Sequence, residues 1–337
     1  MKRKVAIVGC GGIARVHAQA VHNLEGAELC AFADCRLERA EKLAAQYGEA
    51  GAGTYEGLEE MLAGAKPDVV HICTPHYLHV PMAMKVLESG GSVFMEKPPA
   101  ISREQFAQLE HAEAGSVGRL GVCFQNRYNA STKKVDELLR EGSLGKVKGG
   151  RAFVTWNRGA DYYQGSDWRG RWETEGGGAL INQSIHALDL LLRWLGEPDV
   201  VEASMGNHHL RGVTEVEDVT EAYLGFPGGE RACFYATTAY VADEPVLIEL
   251  ACEYGSVRLE GERVTVRYSR GEEAVFLLKT GPAAGKSYWG CGHEACIGDF
   301  YRSLERGTSY ANDLDSVANT LKVMMRVYES AGIRDRV

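Results

Sequence analysis

The sequence lacks the features that mark several common classes of protein. It contains no two cysteines in a C-x-x-C arrangement, so neither a zinc ribbon nor a thioredoxin-like site is indicated. Lysine and arginine form no cluster, and 46 acidic residues against 37 basic ones give a formal net charge of −9. We therefore expect neither nucleic acid nor a membrane as a partner.

Long hydrophobic runs and nucleophile motifs are also missing. No stretch approaches the roughly 20 apolar residues of a membrane helix, and the first apolar run is too short for a signal peptide. Neither a G-x-S-x-G elbow nor a P-loop occurs. His208 and His209 lack the spacing of helical metal ligands, so no metal site is predicted. The nine cysteines are an odd number, and Cys30, Cys73 and Cys233 in apolar runs are expected to be buried thiols. A reducing, cytoplasmic location follows.

The order of apolar segments predicts two domains of the α/β class. A chain of 337 residues is longer than one core usually supports. Over residues 1–125, short apolar runs alternate with helical segments, which is typical of a doubly wound parallel sheet. From residue 126 onward, consecutive strands joined by short Gly-rich turns indicate a mainly antiparallel sheet. We predict an N-terminal Rossmann domain over 1–125 and a C-terminal α/β domain over 126–337.

A glycine-rich turn after the first strand predicts a dinucleotide site. The segment Gly9-Cys10-Gly11-Gly12-Ile13-Ala14 fits G-x-G-x-x-A. Its first glycine permits the turn, its second lets the backbone approach a pyrophosphate, and its alanine permits close helix packing. Phosphates then meet the free N–H groups of the helix N-terminus. Asp34 ends the second strand, where its carboxylate can accept hydrogen bonds from a ribose 2′-hydroxyl.

The residues after Asp34 leave the choice of dinucleotide partly open. Asp34 favours NAD, because a carboxylate repels the 2′-phosphate of NADP. Arg36 and Arg39 follow closely and can neutralise such a phosphate, so NADP stays an alternative. In this part of the chain the predicted cofactor contacts are Gly9, Gly11, Gly12, Ile13, Asp34 and Arg36.

Three further segments carry groups suited to chemistry. T-P-H-Y-L-H (Thr74–His79) and E-K-P (Glu96–Pro98) each follow a strand end, at the sheet edge where open α/β folds bind ligands. The third segment starts with three glycines at 176–178. If it is helical, Asn182 and His186 are i and i+4 and share a face. A hydrogen-bonded core histidine is the competing interpretation of His186, and Asp189 is expected to anchor the helix. The first two segments add the predicted cofactor contacts Thr74, Pro75, His76, His79, Glu96 and Lys97.

With these motifs in this order, the sequence resembles the glucose-fructose oxidoreductase, inositol dehydrogenase and rhizopine-catabolism (Gfo/Idh/MocA) family. The resemblance covers nearly the whole chain and includes W-R-G at Trp168–Gly170, G-G-G-x-L-x-x-x-x-x-H ending at His186, and Tyr328–Ala331. It implies a Rossmann domain followed by a substrate-binding α/β domain with a large open sheet. One face of that sheet commonly forms a homodimer or homotetramer interface in the family.

The resemblance also implies catalytic roles. It places Lys97 beside the nicotinamide and the reacting hydroxyl, often with a cis bond to the following proline, and makes His186 the acid/base group. Independently, alcohol oxidation removes a hydroxyl proton as hydride leaves carbon, and the ordinary pKa of histidine suits that task. A positively charged nicotinamide lowers the pKa of a nearby lysine, whose ammonium can polarise a carbonyl in the reverse reaction.

One residue departs from the pattern of inositol-dehydrogenase-like members. They carry Asp one turn before the histidine, and this chain carries Asn182. An amide orients an imidazole but stabilises imidazolium less than a carboxylate does. The division of labour between Lys97 and His186 therefore stays open, and catalysis is assigned to Lys97, His186 and Asn182.

The segment before the histidine motif indicates a sugar-like substrate. Residues 161–163 and 167–172 combine aromatic and polar side chains, and sugars stack their ring faces on aromatics while their hydroxyls take hydrogen bonds. The competing interpretation is that these aromatics only pack the domain. Arg158, Arg169 or Arg171 can bind a substrate carboxylate or phosphate. The predicted substrate contacts are Arg127, Tyr128, Tyr163, Trp168, Arg169, Asn182 and His186.

Together these features predict an NAD(P)-dependent dehydrogenase or reductase. It transfers a hydride between NAD(P) and a hydroxyl or keto carbon of a sugar, inositol or related polyol. One alternative is a glycoside hydrolase or lyase that oxidises its substrate transiently with tightly held NAD and releases no NADH. The other is a non-catalytic sugar sensor, against which the retention of both Lys97 and His186 argues.

Overall fold

The computed structural model describes residues 2–278 and 291–333, which form two compact units. Unit 1 comprises Met1–Gln125 and Pro282–Val317, and unit 2 comprises Asn126–Gly281 and Ala318–Val337. The sequence analysis assigned 282–317 to the second domain. The structure groups the described part of this segment, residues 291–317, with unit 1, where, for example, Asn23 Nδ2 donates to Glu294 Oε1 at 3.2 Å.

Unit 1 is built on a parallel sheet. Its strands are β1 (Arg3–Val8), β2 (Ala27–Ala33), β3 (Gly53–Tyr55), β4 (Val69–Ile72), β5 (Ser92–Met95) and β6 (Leu120–Val122). Its helices are α1 (Ala14–His22), α2 (Leu37–Tyr47), α3 (Leu58–Ala65), α4 (His79–Glu88), α5 (Arg103–Ala114) and α10 (Gly292–Arg306). The strand order is β3-β2-β1-β4-β5-β6, with every neighbouring pair parallel. This confirms the predicted doubly wound Rossmann fold.

Burial explains which strands of unit 1 the sequence revealed. All of β4 and the last four residues of β1 are buried, so β1 ends in a continuous apolar run and β4 is apolar except for His71. The sequence analysis missed β3 and α3. β3 has three residues, all half-buried, and therefore leaves no apolar run to detect.

Unit 2 is built on an eight-stranded sheet. Its strands are β7 (Val147–Thr155), β8 (Val200–Gly206), β9 (Val219–Gly225), β10 (Arg231–Thr237), β11 (Leu247–Cys252), β12 (Gly255–Glu260), β13 (Arg263–Tyr268) and β14 (Glu273–Leu277). They lie in the order β14-β13-β12-β11-β7-β10-β9-β8. Only β7 and β10 pair in parallel, which confirms the prediction of a mainly antiparallel sheet.

Helices accompany this sheet, and the alternation of its strands separates a buried face from an open one. The helices are α6 (Ala130–Glu141), α7 (Ala160–Gln164), α8 (Trp172–Glu175), α9 (Ile185–Leu195) and α11 (Leu314–Ser330), the last beginning in unit 1. On β10, Ala232 and Phe234 are buried while Arg231 and Cys233 are exposed. The expectation that Cys233 is buried is therefore wrong, because its side chain lies on the open face. Cys73 is buried as expected, and Cys30 is half-buried.

Within the described ranges, every helix is too short or too polar to cross a membrane.

Candidate active site

The glycine-rich turn between β1 and α1 has the shape of a phosphate-binding loop. Gly9 has a φ of +84°, and a Cβ added there would lie 2.7 Å from the backbone carbonyl carbon of Cys73. Among the described residues, no atom lies within 4 Å of a Cβ added at Gly11 or Gly12. The turn is thus closed against the sheet at its first glycine and open at the next two, as a bound pyrophosphate requires.

Asp34 ties this turn to the end of β2. Its Oδ2 accepts the Cys10 N–H at 2.7 Å, and its Oδ1 accepts the Arg36 N–H at 2.9 Å. Each carboxylate oxygen has a second lone pair, so acceptor capacity remains for ribose hydroxyls. Ile13 gives α1 no side-chain cap, which leaves the first N–H groups of the helix for a phosphate. These residues fit a dinucleotide.

The loop after β4 contains a buried hydroxyl group and a buried histidine. Thr74 Oγ1 is buried and finds no hydrogen-bond partner within residues 2–278 and 291–333, so a ligand can satisfy it. Pro75 is half-buried and His76 is buried. His79 is fully buried, with Nε2 2.9 Å from the Thr74 carbonyl oxygen and Nδ1 2.8 Å from the Pro98 carbonyl oxygen. His79 thus lies between two loops, and its contact with the dinucleotide stays a prediction.

The E-K-P loop after β5 presents one lysine from an otherwise buried stretch. The Lys97–Pro98 peptide bond is cis, which confirms that implication of the resemblance. From Val93 to Ile101, every residue is buried except Lys97, which is half-buried. The fold thus presents the Lys97 side chain from an otherwise buried loop.

Glu96 beside it ends a buried chain of hydrogen bonds. His17 Nε2 lies 2.9 Å from Glu96 Oε1, His17 Nδ1 lies 2.9 Å from His71 Nδ1, and His71 Nε2 lies 3.0 Å from the Tyr301 hydroxyl. Burial opposes ionisation of Glu96, yet the hydrogen bond from His17 lowers its pKa. Burial lowers the pKa of His71, so its ring is neutral. Every contact is then satisfied if Tyr301 donates to His71, His71 to His17, and His17 to the carboxylate.

His293 and Cys123 lie next to the hydrogen-bonded chain of Glu96, His17 and His71. Burial lowers the pKa of His293 to about 4, which indicates a neutral core histidine. Among the described residues, His17, Glu96 and Cys123 bring potential metal ligands within 4.8 Å of one another. Burial raises the pKa of the Cys123 thiol, so it stays protonated, and the other two groups already bond to each other. This trio is accordingly a hydrogen-bonded core cluster.

In unit 2, the three glycines before the histidine motif are packed closely against other residues of the unit. A Cβ at Gly177 would lie 2.0 Å from the Tyr328 hydroxyl, and one at Gly178 would lie 2.1 Å from the Glu217 carbonyl oxygen. The segment Ala179–Ser184 that follows is a π-helix, and α9 begins directly after it. The sequence analysis placed Asn182 and His186 on one face only on the condition that the segment is a regular helix. π-Helical turns within helices frequently occur at functional sites.

Asn182 and His186 are the accessible residues of this segment. From Glu175 to Leu192, every residue is buried except these two, which are half-buried. They stand four residues apart, one at the end of the π-helix and one in the first turn of α9. The fold thus presents an amide and an imidazole together from a buried stretch.

Two buried carboxyl groups lie behind Asn182. The Asn182 amide donates to Glu175, which also accepts the Gly170 N–H. Glu217 accepts the N–H groups of Gly178 at 2.9 Å and Leu180 at 3.0 Å, and the Tyr328 hydroxyl at 3.0 Å. Burial raises the pKa of Glu175 and of Glu217 to about 7 each. The sequence analysis overlooked both, although an acid directly before three glycines was a visible signal.

Asp189 has a structural role, as expected. It accepts Arg127 Nε at 2.8 Å on Oδ2, Arg127 Nη2 on Oδ1, and the Thr320 hydroxyl at 2.7 Å. The predicted substrate contact Arg127 therefore shares a buried bidentate ion pair with Asp189. Tyr128 is half-buried, with the Lys133 ammonium 5.7 Å from its ring centroid.

The aromatic loop before the glycines divides into a buried part and a half-buried part. Tyr163 is 4% exposed and packs in the core of unit 2. Trp168 and Arg169 are half-buried, and the Arg169 guanidinium lies 5.2 Å from the Trp168 ring and 4.3 Å from the Tyr162 ring. Tyr162 was not singled out from the sequence. Its hydroxyl accepts Gln183 Nε2 at 3.0 Å, a contact that sequence spacing does not reveal.

Comparisons with known proteins agree with this geometry. Residues 3–124 match the model of an oxidoreductase family with an NAD-binding Rossmann fold, and residues 132–258 match the Gfo/Idh/MocA C-terminal domain. The chain is similar to the D-glucoside 3-dehydrogenase of Escherichia coli, at 35% identity over 58% of this chain and 55% of that protein. That match spans about half the length of the relative.

Two further proteins match over most of their length. The inositol 2-dehydrogenase of Rubrobacter xylanophilus is 28% identical over 78% of this chain and 70% of that protein. The WlbA dehydrogenase of Bordetella pertussis, whose structure holds NADH and UDP-GlcNAcA, is 28% identical with a TM-score of 0.84. That match covers 100% of this chain and 98% of the other. The chain therefore belongs to the Gfo/Idh/MocA family of oxidoreductases, whose N-terminal domain is an NAD-binding Rossmann fold.

Proposed function

We propose that the protein is an NAD-dependent dehydrogenase that oxidises a hydroxyl group of a sugar or polyol. The observation that carries the proposal is the pairing, within unit 1, of an open glycine turn braced by Asp34 with Lys97, the one accessible residue of a buried loop. A binding module needs no lysine held in this way. Relatives named as glucoside and inositol dehydrogenases support the substrate class.

The cofactor contacts proposed for this chain follow from its residues. The N–H groups at the start of α1 bind the pyrophosphate, and Gly11 and Gly12 leave room for it. Asp34 accepts hydrogen bonds from the ribose, which favours NAD over NADP. When bound, NAD supplies the hydride acceptor for alcohol oxidation.

The proton chemistry is assigned to unit 2. His186 removes the hydroxyl proton as the carbon is oxidised, a task that histidine side chains commonly perform as general bases. Asn182 orients the substrate or the imidazole, and its own amide is held by Glu175. The Lys97 ammonium donates to the reacting oxygen and stabilises the negative charge that develops there.

Location and assembly are proposed on separate grounds. All nine cysteines are free thiols, which supports a reducing, cytoplasmic environment. The open face of the unit 2 sheet carries neighbouring exposed residues, including Tyr223 and Cys233 on paired strands. This face supports a homodimer or homotetramer, which light scattering of the purified protein would measure.

A substrate screen tests the function. The purified protein is incubated with NAD and a panel of pyranoses, inositols and sugar acids, and NADH formation is followed by fluorescence. We expect NADH from at least one member of the panel. Cleavage of a glycoside without NADH would instead indicate redox-neutral chemistry. Tight sugar binding with neither outcome would indicate a sensor.

A further inference from the structure

Arg169, which is half-buried, differs from Arg127 and Arg158 of the same unit, whose side chains are buried. Arg127 pairs with Asp189, and Arg158 places Nη1 2.8 Å and 3.0 Å from the two carboxylate oxygens of Asp243. Within the described ranges, the Arg169 guanidinium makes no hydrogen bond and no ion pair, and its Nε is shielded from water. Because a buried N–H without an acceptor is costly, a ligand that accepts at Nε is favourable, and the other donors of this half-buried guanidinium can bind the same ligand.

The surroundings of Arg169 hold its plane but leave its donors unused. Its carbon Cζ lies 4.3 Å from the Tyr162 ring centroid and 5.2 Å from that of Trp168. Stacking on aromatic faces fixes a guanidinium while its N–H edge stays available for a bidentate oxyanion. The arrangement is that of a preorganised anion site, since little side-chain freedom remains to be lost on binding.

Two short connections join Arg169 to the residues presented by the π-helix. Tyr162, under the guanidinium, accepts a hydrogen bond from Gln183, the neighbour of Asn182. Gly170, which follows Arg169, donates to Glu175, and Glu175 accepts from Asn182. The unpaired cation is thus tied to the segment that leads into His186.

The local charges also favour an anion. Arg158 is neutralised by Asp243. Glu175 is the acid whose charge acts on Arg169, but its two oxygens already accept from Gly170 and Asn182. Burial raises the pKa of Glu175 to about 7, so near neutral pH a large fraction of this carboxyl is uncharged. The positive charge of Arg169 is therefore left without full compensation.

We propose that Arg169 binds an oxyanion of the substrate, so that the sugar oxidised by this protein carries a carboxylate or a phosphate. The inference rests on the proposed dehydrogenase function and narrows it from sugars in general to anionic sugars. A carboxylate or a phosphate presents the same pair of oxygen acceptors to the guanidinium edge.

Three matched sugars test the inference. Methyl β-D-glucuronide carries a carboxylate, glucose 6-phosphate a phosphate, and methyl β-D-glucoside no charge. We expect kcat/KM with NAD to be about 10- to 100-fold higher for at least one anionic sugar than for the neutral one, as a charge-assisted contact provides. Which of the two anions is preferred separates a sugar acid from a sugar phosphate.

Variants assign that preference to Arg169. In Arg169→Gln, kcat/KM for the anionic sugar should fall by the same factor, while the value for the neutral sugar changes by less than about threefold. Arg169→Lys keeps the positive charge but cannot bind an oxyanion through two parallel N–H groups, so the loss in kcat/KM should be intermediate. Arg140→Ala, which removes an exposed arginine at the end of α6, is the matched control and should behave as wild type. Equal melting temperatures show that each variant is folded.

The outcomes separate the inference from the proposed function. Efficient NADH formation from the neutral glucoside, without a preference for either anion, would overturn the inference and leave the dehydrogenase standing. An equal loss on both kinds of sugar in Arg169→Gln would also overturn it. If no sugar is oxidised, the proposed function fails for this set of sugars. Calorimetric titration of the two anionic sugars in the presence of NADH then tests the inference about Arg169 by itself. Binding that Arg169→Gln abolishes supports the inference, and absent or unchanged binding contradicts it.

Discussion

The two units differ in how they satisfy their buried polar groups. In unit 1, Thr74 Oγ1 is the one buried side-chain polar atom of the described residues without a partner, and other buried groups bond to one another, as in the chain from Glu96 through His17 and His71. In unit 2 several buried side-chain atoms have no partner among the described residues, and Nε of Arg169 is one of them. A cofactor site of fixed shape is compatible with closed networks. A site that selects a particular substrate needs unused donors and charge.

Loss of the accessible titratable groups should have the largest effect. In Lys97→Ala and His186→Ala, kcat should fall by about 10²- to 10⁴-fold, because each variant removes a group that holds or moves a proton. NADH affinity, measured by fluorescence titration, should change only a few-fold. Lys42→Ala and His209→Ala remove exposed residues of the same types and serve as controls. Near-normal turnover in either test variant would remove that residue from the mechanism.

A pair of glycine substitutions separates folding from cofactor binding in unit 1. Gly9→Ala forces a side chain onto a φ of +84° and against the Cys73 backbone, so the free energy of unfolding should fall by at least about 2 kcal/mol. In Gly11→Ala the added methyl group contacts no other atom of the described residues, so the melting temperature should not change. NADH affinity should fall at least about tenfold, because the methyl group blocks the pyrophosphate. Equal melting temperatures for the two variants would contradict the geometry of the turn.

The buried acids of unit 2 should make stability depend on pH in an unusual direction. The pKa of Glu175 is raised from 4.5 to about 7, so between these values the folded state binds more protons than the unfolded state. Its contribution to stability is complete below pH 4.5 and is lost as the pH rises through about 7. The loss is on the order of 2–3 kcal/mol.

Urea unfolding of Glu175→Gln measures this contribution. Relative to wild type, the variant should lose less stability between mildly acidic and mildly alkaline pH, because its amide does not titrate. Glu173→Gln, two residues earlier and exposed, should follow the wild-type curve. Parallel curves for wild type and Glu175→Gln would show that Glu175 does not titrate in this range.

The smallest effect is expected for cofactor choice. Asp34→Asn keeps one acceptor for the backbone N–H groups of Cys10 and Arg36 but loses the negative charge. NAD affinity should fall roughly tenfold, and NADP affinity should fall less or rise, because repulsion of the 2′-phosphate is removed. Dissociation constants for both dinucleotides give the ratio, and an unchanged ratio would contradict the role of Asp34 at the ribose.

Sequence reasoning succeeded where a short segment determines its own structure. The buried strand β1, the glycine turn and Asp34 form one contiguous unit, so the dinucleotide site was visible in the sequence. The cis bond before Pro98 came from the family resemblance rather than from the residues alone.

The features that were missed depend on contacts between distant segments. Arg127 meets Asp189 across 62 residues, and His71 meets Tyr301 across 230, distances at which spacing carries no information. The π-helix at Ala179–Ser184 follows from packing of the glycines against Glu217 and Tyr328 rather than from local preference. The same long-range packing decides that Arg169 is left without an acid.

The stoichiometry of the reaction tests the central claim most directly. Wild-type protein is mixed with NAD and the best sugar of the screen, and NADH and the oxidised sugar are quantified in the same sample. The account predicts equal amounts of NADH and keto sugar, and almost none of either with His186→Ala. Conversion of the sugar without accumulation of NADH would contradict it.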